Sequence, residues 1–326
     1  MIPAIVTGAV AGTALGYVLQ RTQLCFHATV GGPSGRRLQL SPGWLFGVAV
    51  ASVGLSVVFL TPLGRGLNQG LPFVPAADVT GGLLIGLGMA VARTCVSGLF
   101  HQLGAGMIGS LAGLVGWAAG ELTARRIGLP PGPTLLPGGV GGTVPGLLGV
   151  PRIVAALGFA GVTGFVLSRR TTVPRVQRRS WDWPVTGLLL GAATTAAWVL
   201  AGLGGASFGP SSVGAVTSIV TGRPQWWLTS FLAGIVAGAA IAARTAPRDP
   251  TRPDRPPRYL HLAAGGFLLG AGGWIAMGCN LGHGLSGAAQ LNVSSWVVVA
   301  AITAGIGAGQ LMQTAFGRVR AAWAGA

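Results

Sequence analysis

The segment GGLLIGLGMAVARTCVSG, residues 81–98, returns in modified form 184 residues downstream as GGFLLGAGGWIAMGCNLG, residues 265–282. The matched pairs include Gly81 with Gly265, Ala92 with Ala276 and Cys95 with Cys279. Glycine- and alanine-rich segments can match by chance, but a shared cysteine argues against that explanation. We therefore expect the two halves of the chain to be copies of one structural unit.

The composition around these segments is that of a membrane protein. Hydrophobic residues make up 51% of the chain, charged residues only 8%, and the mean hydropathy is +0.66. Soluble domains carry about 25% charged residues, so this chain could not cover a water-facing surface. Its apolar runs are long and continuous, which in lipid favours helices over barrel strands. The predicted class is an all-α integral membrane protein.

The apolar runs predict nine membrane crossings and two short segments that enter the membrane without crossing it. The predicted crossings are residues 3–20, 42–60, 79–95, 103–120, 147–167, 183–203, 226–244, 260–278 and 294–316. Residues 21–35 and 204–222 are rich in glycine, serine and proline but almost uncharged. Irregular backbone at membrane depth must be buried in protein or line a cavity, so both are predicted to be re-entrant. Ordinary surface loops are the alternative for these two segments.

The repeat offset pairs the second span with the seventh and the first re-entrant segment with the second. The fifth span has no counterpart, and one unpaired span between two four-span units forces those units into opposite orientations. We expect a first repeat at residues 1–145, a linking helix and loop at 146–182, and a second repeat at 183–326. Inverted repeats are common in secondary transporters, whose substrate sites lie near the midplane, where helices are interrupted.

The charge distribution predicts the orientation in the membrane. The net charge is +16 and every basic residue is arginine. The two most basic connections, residues 169–179 and 244–258, fall on one side of a nine-span chain together with the C-terminus. Positive loops mark the cytoplasmic side, so the C-terminus is expected inside and the N-terminus outside. The arginines lie in loops between spans, which disfavours nucleic acid as a partner, and the N-terminus lacks the basic region of a signal peptide.

Each of the three cysteines stands where an apolar span gives way to a glycine-rich turn, at Cys25, Cys95 and Cys279. Histidines lie near all three, at positions 27, 101 and 283. The odd count disfavours a disulfide framework, and the absence of paired ligand spacings disfavours a metal site. Buried packing residues and a nucleophilic Cys279 with His283 as its base remain alternatives. No metal or cofactor is expected.

Two arginines near membrane depth, Arg21 and Arg93, precede cysteines by four and two residues. Arginine at a membrane centre is costly and usually functional, and it stays charged. The five acidic residues are predicted at helix ends or in loops: Asp78, Glu121, Asp182, Asp249 and Asp254. A transported anion could supply the missing negative charge, while snorkelling to an interface is the alternative for both arginines.

The cysteine motifs resemble those of the YeeE/YedE family over nearly the whole chain. The specific motif is Gly278–Gly287 followed by Ser294-Ser295-Trp296, and weaker ones are Gln20-Arg21 with Cys25-Phe26 and Cys95–Gly98 with Leu103–Gly106. The sequence departs from the family at Gly31–Ser34, where a polar continuation is expected.

The resemblance implies a prokaryotic inner-membrane protein that takes up thiosulfate, shaped as an hourglass of two inverted halves with re-entrant loops. It implies a path lined by three cysteines, of which the middle one matters most, and a TusA-like sulfur-carrier protein as cytoplasmic partner. The residues expected along the path are Cys25, Cys95, Cys279, Arg21, Arg93, Gly98, Asn280, Gly282 and His283. Selenium compounds or another small solute are alternative substrates.

Thiol chemistry fits a relay for a sulfur anion. A thiol in apolar surroundings keeps its proton and is a weak donor, whereas a thiolate would repel a dianion. Weak contacts at several sites let an ion bind and also leave. A membrane sulfurtransferase that forms a cysteine persulfide is the competing hypothesis, and no P-loop for ATP hydrolysis is present. The repeat predicts that Cys95 and Cys279 lie close together, with Cys25 away from their axis.

Overall fold

The computed structural model describes residues 1–31, 34–128, 132–169, 181–245 and 256–324, and throughout these ranges the chain is helical with no strand. The helices are α1 (Ile2–Thr22), α2 (Phe26–Gly31), α3 (Ser34–Leu60), α4 (Pro75–Ala92), α5 (Val96–Gly104), α6 (Ser110–Ile127), α7 (Val144–Leu148), α8 (Arg152–Ser168), α9 (Trp183–Leu203), α10 (Ala215–Val220), α11 (Trp226–Thr245), α12 (Pro256–Ile275) and α13 (Val293–Ala324), with a π-helical turn at Gly282–Gly287.

Every predicted crossing overlaps one of the long helices. Among the described residues, six helical stretches are long and apolar enough to cross a membrane. Large apolar side chains on α8, such as Val162 and Phe165, are exposed, as expected for a helix that faces lipid. The all-α integral membrane class is thereby confirmed, while the number of nine crossings stays a prediction.

The boundary of the fourth span is wrong in the sequence-based prediction. Residues 96–104 form the separate short helix α5, and the spanning helix α6 begins only at Ser110. Gly106, with φ of +94°, lies in the turn between them. Hydropathy alone does not register this turn, because the residues around it are as apolar as those of a span.

Helices α4 and α12 cross in the middle of the molecule, and they touch through glycines. A Cβ atom at Gly81 would lie 2.7 Å from the carbonyl oxygen of Gly272, and one at Gly265 would lie 2.7 Å from that of Gly88. The 184-residue offset maps the first contact onto the second. Any larger side chain would push the two backbones apart, as is general where membrane helices pack through small residues.

The long helices other than α8 also form four pairs in which the two helices run parallel. Helix α1 packs along α11, α3 along α9, α4 along α13, and α6 along α12. The offset pairs α1 with α9, α3 with α11, α4 with α12, and α6 with α13, so it maps each of these contacts onto another. This pattern is the one that two halves related by a pseudo-two-fold axis produce. The division at residues 145 and 183 stays a prediction.

Parallel packing also defines the two faces of the molecule. Met1 and Ala4, at the start of α1, share a cavity with residues 204–211, so the second segment that is predicted to be re-entrant opens on the N-terminal face. Helices α11 and α13 begin near this cavity and lead away from that face. Helices α1 and α4 run parallel to them, so they also run away from it. Their ends, which carry Cys25 and Cys95, therefore point toward the opposite, C-terminal face.

Glu121 corrects the expectation that all acidic residues lie at ends or in loops. It lies within α6 and is completely buried, with 0% of its surface exposed. Asp78 is also buried but occupies the first turn of α4, where an acid is usual. Asp182 is exposed at the start of α9, and Asp249 and Asp254 lie outside the described residues.

Candidate functional site

The three cysteines follow three copies of one backbone turn. Gln23 follows the end of α1, Arg93 follows the end of α4, and Met277 comes two residues after the end of α12; these residues have φ of 53°, 53° and 57°. Left-handed backbone is unfavourable for residues other than glycine and marks a chain held there by its surroundings. In each case a cysteine comes two residues later, before a short helical segment. The turns thus place each thiol at the same local position.

Cys25 and Cys95 lie side by side in the interior. Their Sγ atoms are 3.2 Å apart, and the backbone N–H of Cys95 donates to Cys25 Sγ at 3.3 Å. The hydroxyl of Ser97 is 3.2 Å from Cys95 Sγ, and that of Thr94 is 3.8 Å from Cys25 Sγ. Both thiols are buried and neither is in a disulfide. We call Cys25, Thr94, Cys95 and Ser97 the thiol cluster.

This pairing differs from the expectation that Cys25 lies away from the other two thiols, while the closeness of Cys95 and Cys279 stays a prediction. Helix α2 packs against α4, which brings the start of the first re-entrant segment onto the turn after Arg93. The repeat alone could not predict this, because the second half has Gly209 where the first has Cys25.

Gly98 leaves the space beside the two thiols open. A Cβ atom at this position would lie 3.3 Å from Cys25 Sγ and 3.4 Å from Cys95 Sγ, and it would overlap the hydroxyl of Thr94. The absence of a side chain at Gly98 is therefore required by the thiol cluster itself. Gly98 belongs to the site by contact, as the sequence motif predicted.

Asn280 joins the thiol cluster to the second half of the chain. Its Nδ2 donates to Ser97 Oγ at 3.2 Å, so the residue after Cys279 contacts the residue two after Cys95. Its Oδ1 is buried without a hydrogen-bond partner. Cys279 itself is completely buried, and within the described residues its thiol makes no hydrogen bond to the other two. The two breaks thus meet through Ser97 and Asn280 rather than through a thiol pair.

His283 braces the turn that carries Cys279. Its Nδ1 lies 3.0 Å from Ser295 Oγ and its Nε2 lies 2.7 Å from the carbonyl oxygen of Ala276. Both ring nitrogens are occupied by these partners, which leaves neither to act as a base toward Cys279. Gly282, one residue earlier, faces the second re-entrant segment, because a Cβ atom there would lie 3.4 Å from Ser211 Oγ.

The arginines near the cysteines do not touch the thiols. Arg93 is exposed at the end of α4, and Arg21 is half-buried, with its guanidinium carbon 5.3 Å from the centre of the Trp181 ring and its Nε without a hydrogen-bond partner. Sequence reasoning missed a third cation at this end: Arg258 Nη2 donates to the carbonyl oxygen of Ala92 at 2.6 Å. Three arginines therefore lie around the C-terminal-face approach to the thiol cluster.

A cavity of about 530 Å³ opens on the N-terminal face. It is lined by residues 204–211 of the second re-entrant segment and extends to Gly282 and Ser286 of the π-helical turn. Ser286 Oγ donates to the carbonyl oxygen of Pro210 at 3.1 Å and accepts from Trp198 Nε1 at 3.3 Å. No charged side chain of the described residues lines this cavity. Its size is that of a small-molecule site, and its walls offer aromatic rings, hydroxyls and amides.

The family model described as sulphur transport matches residues 21–308, a stretch that includes all three cysteine turns. The chain belongs to this sulphur transport family. The YeeE/YedE resemblance of the three motifs is thereby confirmed.

Two relatives are similar to this chain over almost its full length. The thiosulfate transporter TsuA of Spirochaeta thermophila is 28% identical over 314 residues, which cover 89% of this chain and 93% of the relative. The thiosulfate transporter TsuA of Escherichia coli is 25% identical over 335 residues, with 91% of each chain covered. Both are named as transporters.

The described part of this sulphur transport family member offers no group of three His, Cys, Asp or Glu residues that could hold a metal ion. His101, which sequence reasoning placed near a thiol, instead contacts Gln20 Oε1 through its Nδ1 at 2.9 Å. Thr94 and Ser97 are site residues that sequence reasoning missed. Their positions directly beside Cys95 were the available signal, since a hydroxyl next to a buried thiol is a natural partner for it.

Proposed function

We propose that this chain takes up thiosulfate, or a closely related sulfur anion, across a prokaryotic cell membrane. Membership in the sulphur transport family and the two thiosulfate transporters among its relatives support this proposal. The observation that carries it is the contact at 3.2 Å between the thiols of Cys25 and Cys95, beside the break that Asn280 of the second half reaches. Such a cluster offers soft donors where two interrupted helices meet.

In the proposed mechanism the thiols act as neutral donors and form no bond to the anion. The terminal sulfur of thiosulfate is a large, polarisable acceptor, and it would accept weak S–H hydrogen bonds from Cys25, Cys95 and Cys279 in turn. The hydroxyl of Ser97 and the amide of Asn280 would donate hydrogen bonds to the oxygen atoms of the anion. Each contact is weak, so the anion can move on from every position, as conduction requires.

Charge supports the same path from one end. Arg21, Arg93 and Arg258 would hold a positive potential at the C-terminal face, where a dianion leaves the thiol cluster, and Arg93 is free to move because it is exposed. Gly98 and Gly282 would keep the path open, and His283 would fix the Cys279 turn through its two hydrogen bonds. These nine sequence-predicted path residues, with Arg258, Thr94 and Ser97 added, form the proposed site.

We place the N-terminus outside and the C-terminus in the cytoplasm, from the arginine-rich connections at 169–179 and 244–258. Most of those residues lie outside the described part of the chain. The cavity on the N-terminal face would then receive the anion from outside, and a TusA-like sulfur carrier could collect it at the arginines of the opposite face. Catalysis plays no part in this proposal.

Uptake of radiolabelled thiosulfate by proteoliposomes that contain the purified chain tests the proposal. We expect saturable uptake that sulfate does not compete away, and we expect Cys95→Ala to abolish it at an unchanged level of inserted protein. Growth of a sulfur-auxotrophic strain on thiosulfate as the sole sulfur source gives a second readout. Absence of uptake by the native chain, or full uptake by Cys95→Ala, would refute the mechanism.

A membrane sulfurtransferase is the second candidate, because two thiols 3.2 Å apart are close enough to exchange sulfur. In that reaction a Cys25 or Cys95 thiolate attacks the outer sulfur of thiosulfate, a persulfide forms, and sulfite leaves with the electron pair of the broken S–S bond. Mass spectrometry after substrate exposure distinguishes the two. A stable gain of about 32 Da, one sulfur atom, on either cysteine identifies the enzyme, and unmodified cysteines identify the transporter.

A further inference from the structure

Glu121 is a buried carboxylate inside the helical domain that the thiol path does not use. It lies about two-thirds of the way along α6 with 0% of its surface exposed. The backbone beside it is pressed against α12, because a Cβ atom at Gly270 would lie 2.9 Å from the amide nitrogen of Glu121. An ionisable side chain at membrane depth is costly, and it marks a functional site by default.

The carboxylate holds the tip of the second re-entrant segment. Glu121 Oε1 accepts hydrogen bonds from the backbone N–H groups of Gly214 at 3.2 Å and Thr217 at 3.1 Å, that is, from the residue before α10 and from its first turn. Its second oxygen, Oε2, is buried without a hydrogen-bond partner among the described residues. One oxygen therefore ties α10 to α6, while the other is not needed for that tie.

No cation of the described residues faces this carboxylate. Helix α6 packs against α12, α5 and α10. On α12 the titratable and charged residues are Arg258, Tyr259 and His261, about two turns or more before the level of Gly270. Helix α5 carries only His101, which contacts Gln20, and α10 carries no titratable residue. On α6 itself, Arg125 and Arg126 are exposed. No side chain in the described part of the chain neutralises Glu121, so a bound proton would be the positive charge that does.

The segment that Glu121 holds also forms the wall of the cavity next to Cys279. Val213 Cγ2 lies 3.1 Å from where a Cβ atom of Gly273 would be, and Ser211 faces Gly282. Hydrogen bonds to an ionised carboxylate are about twice as strong as those between neutral groups. Protonation of Glu121 would therefore loosen α10 and allow this wall to move away from the Cys279 turn.

We propose that Glu121 is a proton-binding site of the transporter, and that a proton bound there releases the second re-entrant segment and accompanies the anion. The proposal rests on the proposed uptake of a sulfur dianion. Inward movement of one negative charge against 100 mV is opposed about 50-fold, and of two charges about 2,500-fold. A proton that moves with the anion removes one of these two factors.

The transport test uses proteoliposomes with the membrane potential clamped at zero and a pH gradient of one unit, acid on the side of thiosulfate addition. For one proton per anion we expect accumulation to rise about tenfold over the value without a gradient. Glu121→Gln keeps the shape of the side chain but cannot exchange a proton. We expect it to transport thiosulfate down its own gradient and to lose the effect of pH. Asp78→Asn is the matched control, because Asp78 is also buried but accepts a hydrogen bond from the backbone N–H of Val74, the residue just before its own helix; it should retain the effect.

A second measurement reports on the re-entrant segment without any substrate. A single cysteine at Ser212, which is completely buried, in a background with the three native cysteines replaced by alanine, is labelled with a water-soluble maleimide at pH 5.5 and pH 7.5. Rates are normalised to those of the unfolded protein at each pH. We expect labelling to be several-fold faster at the lower pH with Glu121 present, and equally fast at both pH values in Glu121→Gln.

The outcomes separate the two proposals. Uptake that ignores the pH gradient in the native chain, or a gradient effect that persists in Glu121→Gln, would overturn the proton site and leave thiosulfate transport standing. Absence of any uptake would refute the transport proposal, and the labelling experiment would then decide on the proton site alone. If Glu121→Gln does not insert, equal normalised labelling of the Ser212 position at both pH values with Glu121 present would still overturn it.

Discussion

Gly98→Ala adds one methyl group to the thiol cluster and tests whether its open space is needed for transport. The new Cβ would lie 3.3 Å from Cys25 Sγ and 3.4 Å from Cys95 Sγ, and it would overlap the hydroxyl of Thr94. Thr94 is completely buried, so its side chain must rotate or the backbone must shift. Rotation would break the hydrogen bond that Gln102 Nε2 donates to Thr94 Oγ1 at 3.2 Å.

The cost follows from these two effects. Overpacking of a close-packed interior costs about 1–3 kcal/mol, and a lost hydrogen bond costs about 1 kcal/mol. We expect the free energy of unfolding to fall by about 3 kcal/mol. An anion that binds between the thiols has to displace the added methyl group as well. If this displacement costs at least 1.4 kcal/mol, uptake falls at least tenfold.

Two other glycines provide the controls for Gly98→Ala. A Cβ atom at Gly161 in α8 meets nothing within 4 Å, so Gly161→Ala should leave uptake unchanged and stabilise its helix slightly. A Cβ atom at Gly86 would lie 2.8 Å from Gly305 Cα, far from any thiol contact, so Gly86→Ala should lower stability by a helix-packing effect alone. Comparison with Gly86→Ala separates a loss of stability from an obstruction of the path.

The assay is initial uptake of radiolabelled thiosulfate per inserted molecule, together with thermal unfolding followed by tryptophan fluorescence. We expect Gly98→Ala to lose far more uptake than Gly86→Ala at a similar or smaller loss of stability. Parental uptake and parental unfolding temperature in Gly98→Ala would show that the space beside the thiols is not part of the path.

Three further predictions concern the thiols, one arginine and the orientation. Cys95→Ala should abolish uptake, and Cys25→Ala and Cys279→Ala should reduce it strongly, each at normal insertion; parental uptake by the triple variant would make the cysteines packing residues. Arg93→Gln should weaken uptake through a higher KM without affecting insertion, because Arg93 is exposed. An unchanged KM would show that Arg93 does not attract the anion. A single cysteine at Gln177, which lies outside the described residues, should resist an impermeant thiol reagent in intact cells, and labelling from outside would reverse the proposed orientation.

The helices of this protein could be predicted because the bilayer acts on each segment separately. Lipid offers no hydrogen bonds to the backbone, so any sufficiently long apolar run becomes helical whatever its neighbours do. The predicted span 183–203 coincides with α9, and the predicted span 226–244 ends one residue before α11 does. The family was also readable from the sequence, because its cysteine motifs are local.

Turns inside apolar sequence were less predictable. The sequence placed the fourth span at 103–120, but the chain reverses near Gly106 and the helix runs from Ser110 to Ile127. Hydropathy measures transfer into lipid, and the residues of this turn, among them Met107 and Ile108, are as apolar as those of a span. Only the packing of neighbouring helices shows that the chain turns there.

The chemistry of the site was decided by tertiary structure. Cysteines 25 and 95 are 70 positions apart in the chain, and only the packing of α2 against α4 brings their sulfur atoms to 3.2 Å. The same holds for Glu121, whose burial against α12 and whose bonds to Gly214 depend on helices far away in sequence. The sequence by itself determined which segments are helices and which residues interrupt them, because those choices depend on local propensity and on solvent. Which interruptions face one another was determined by how glycine-lined helices pack, and that depends on the whole assembled chain.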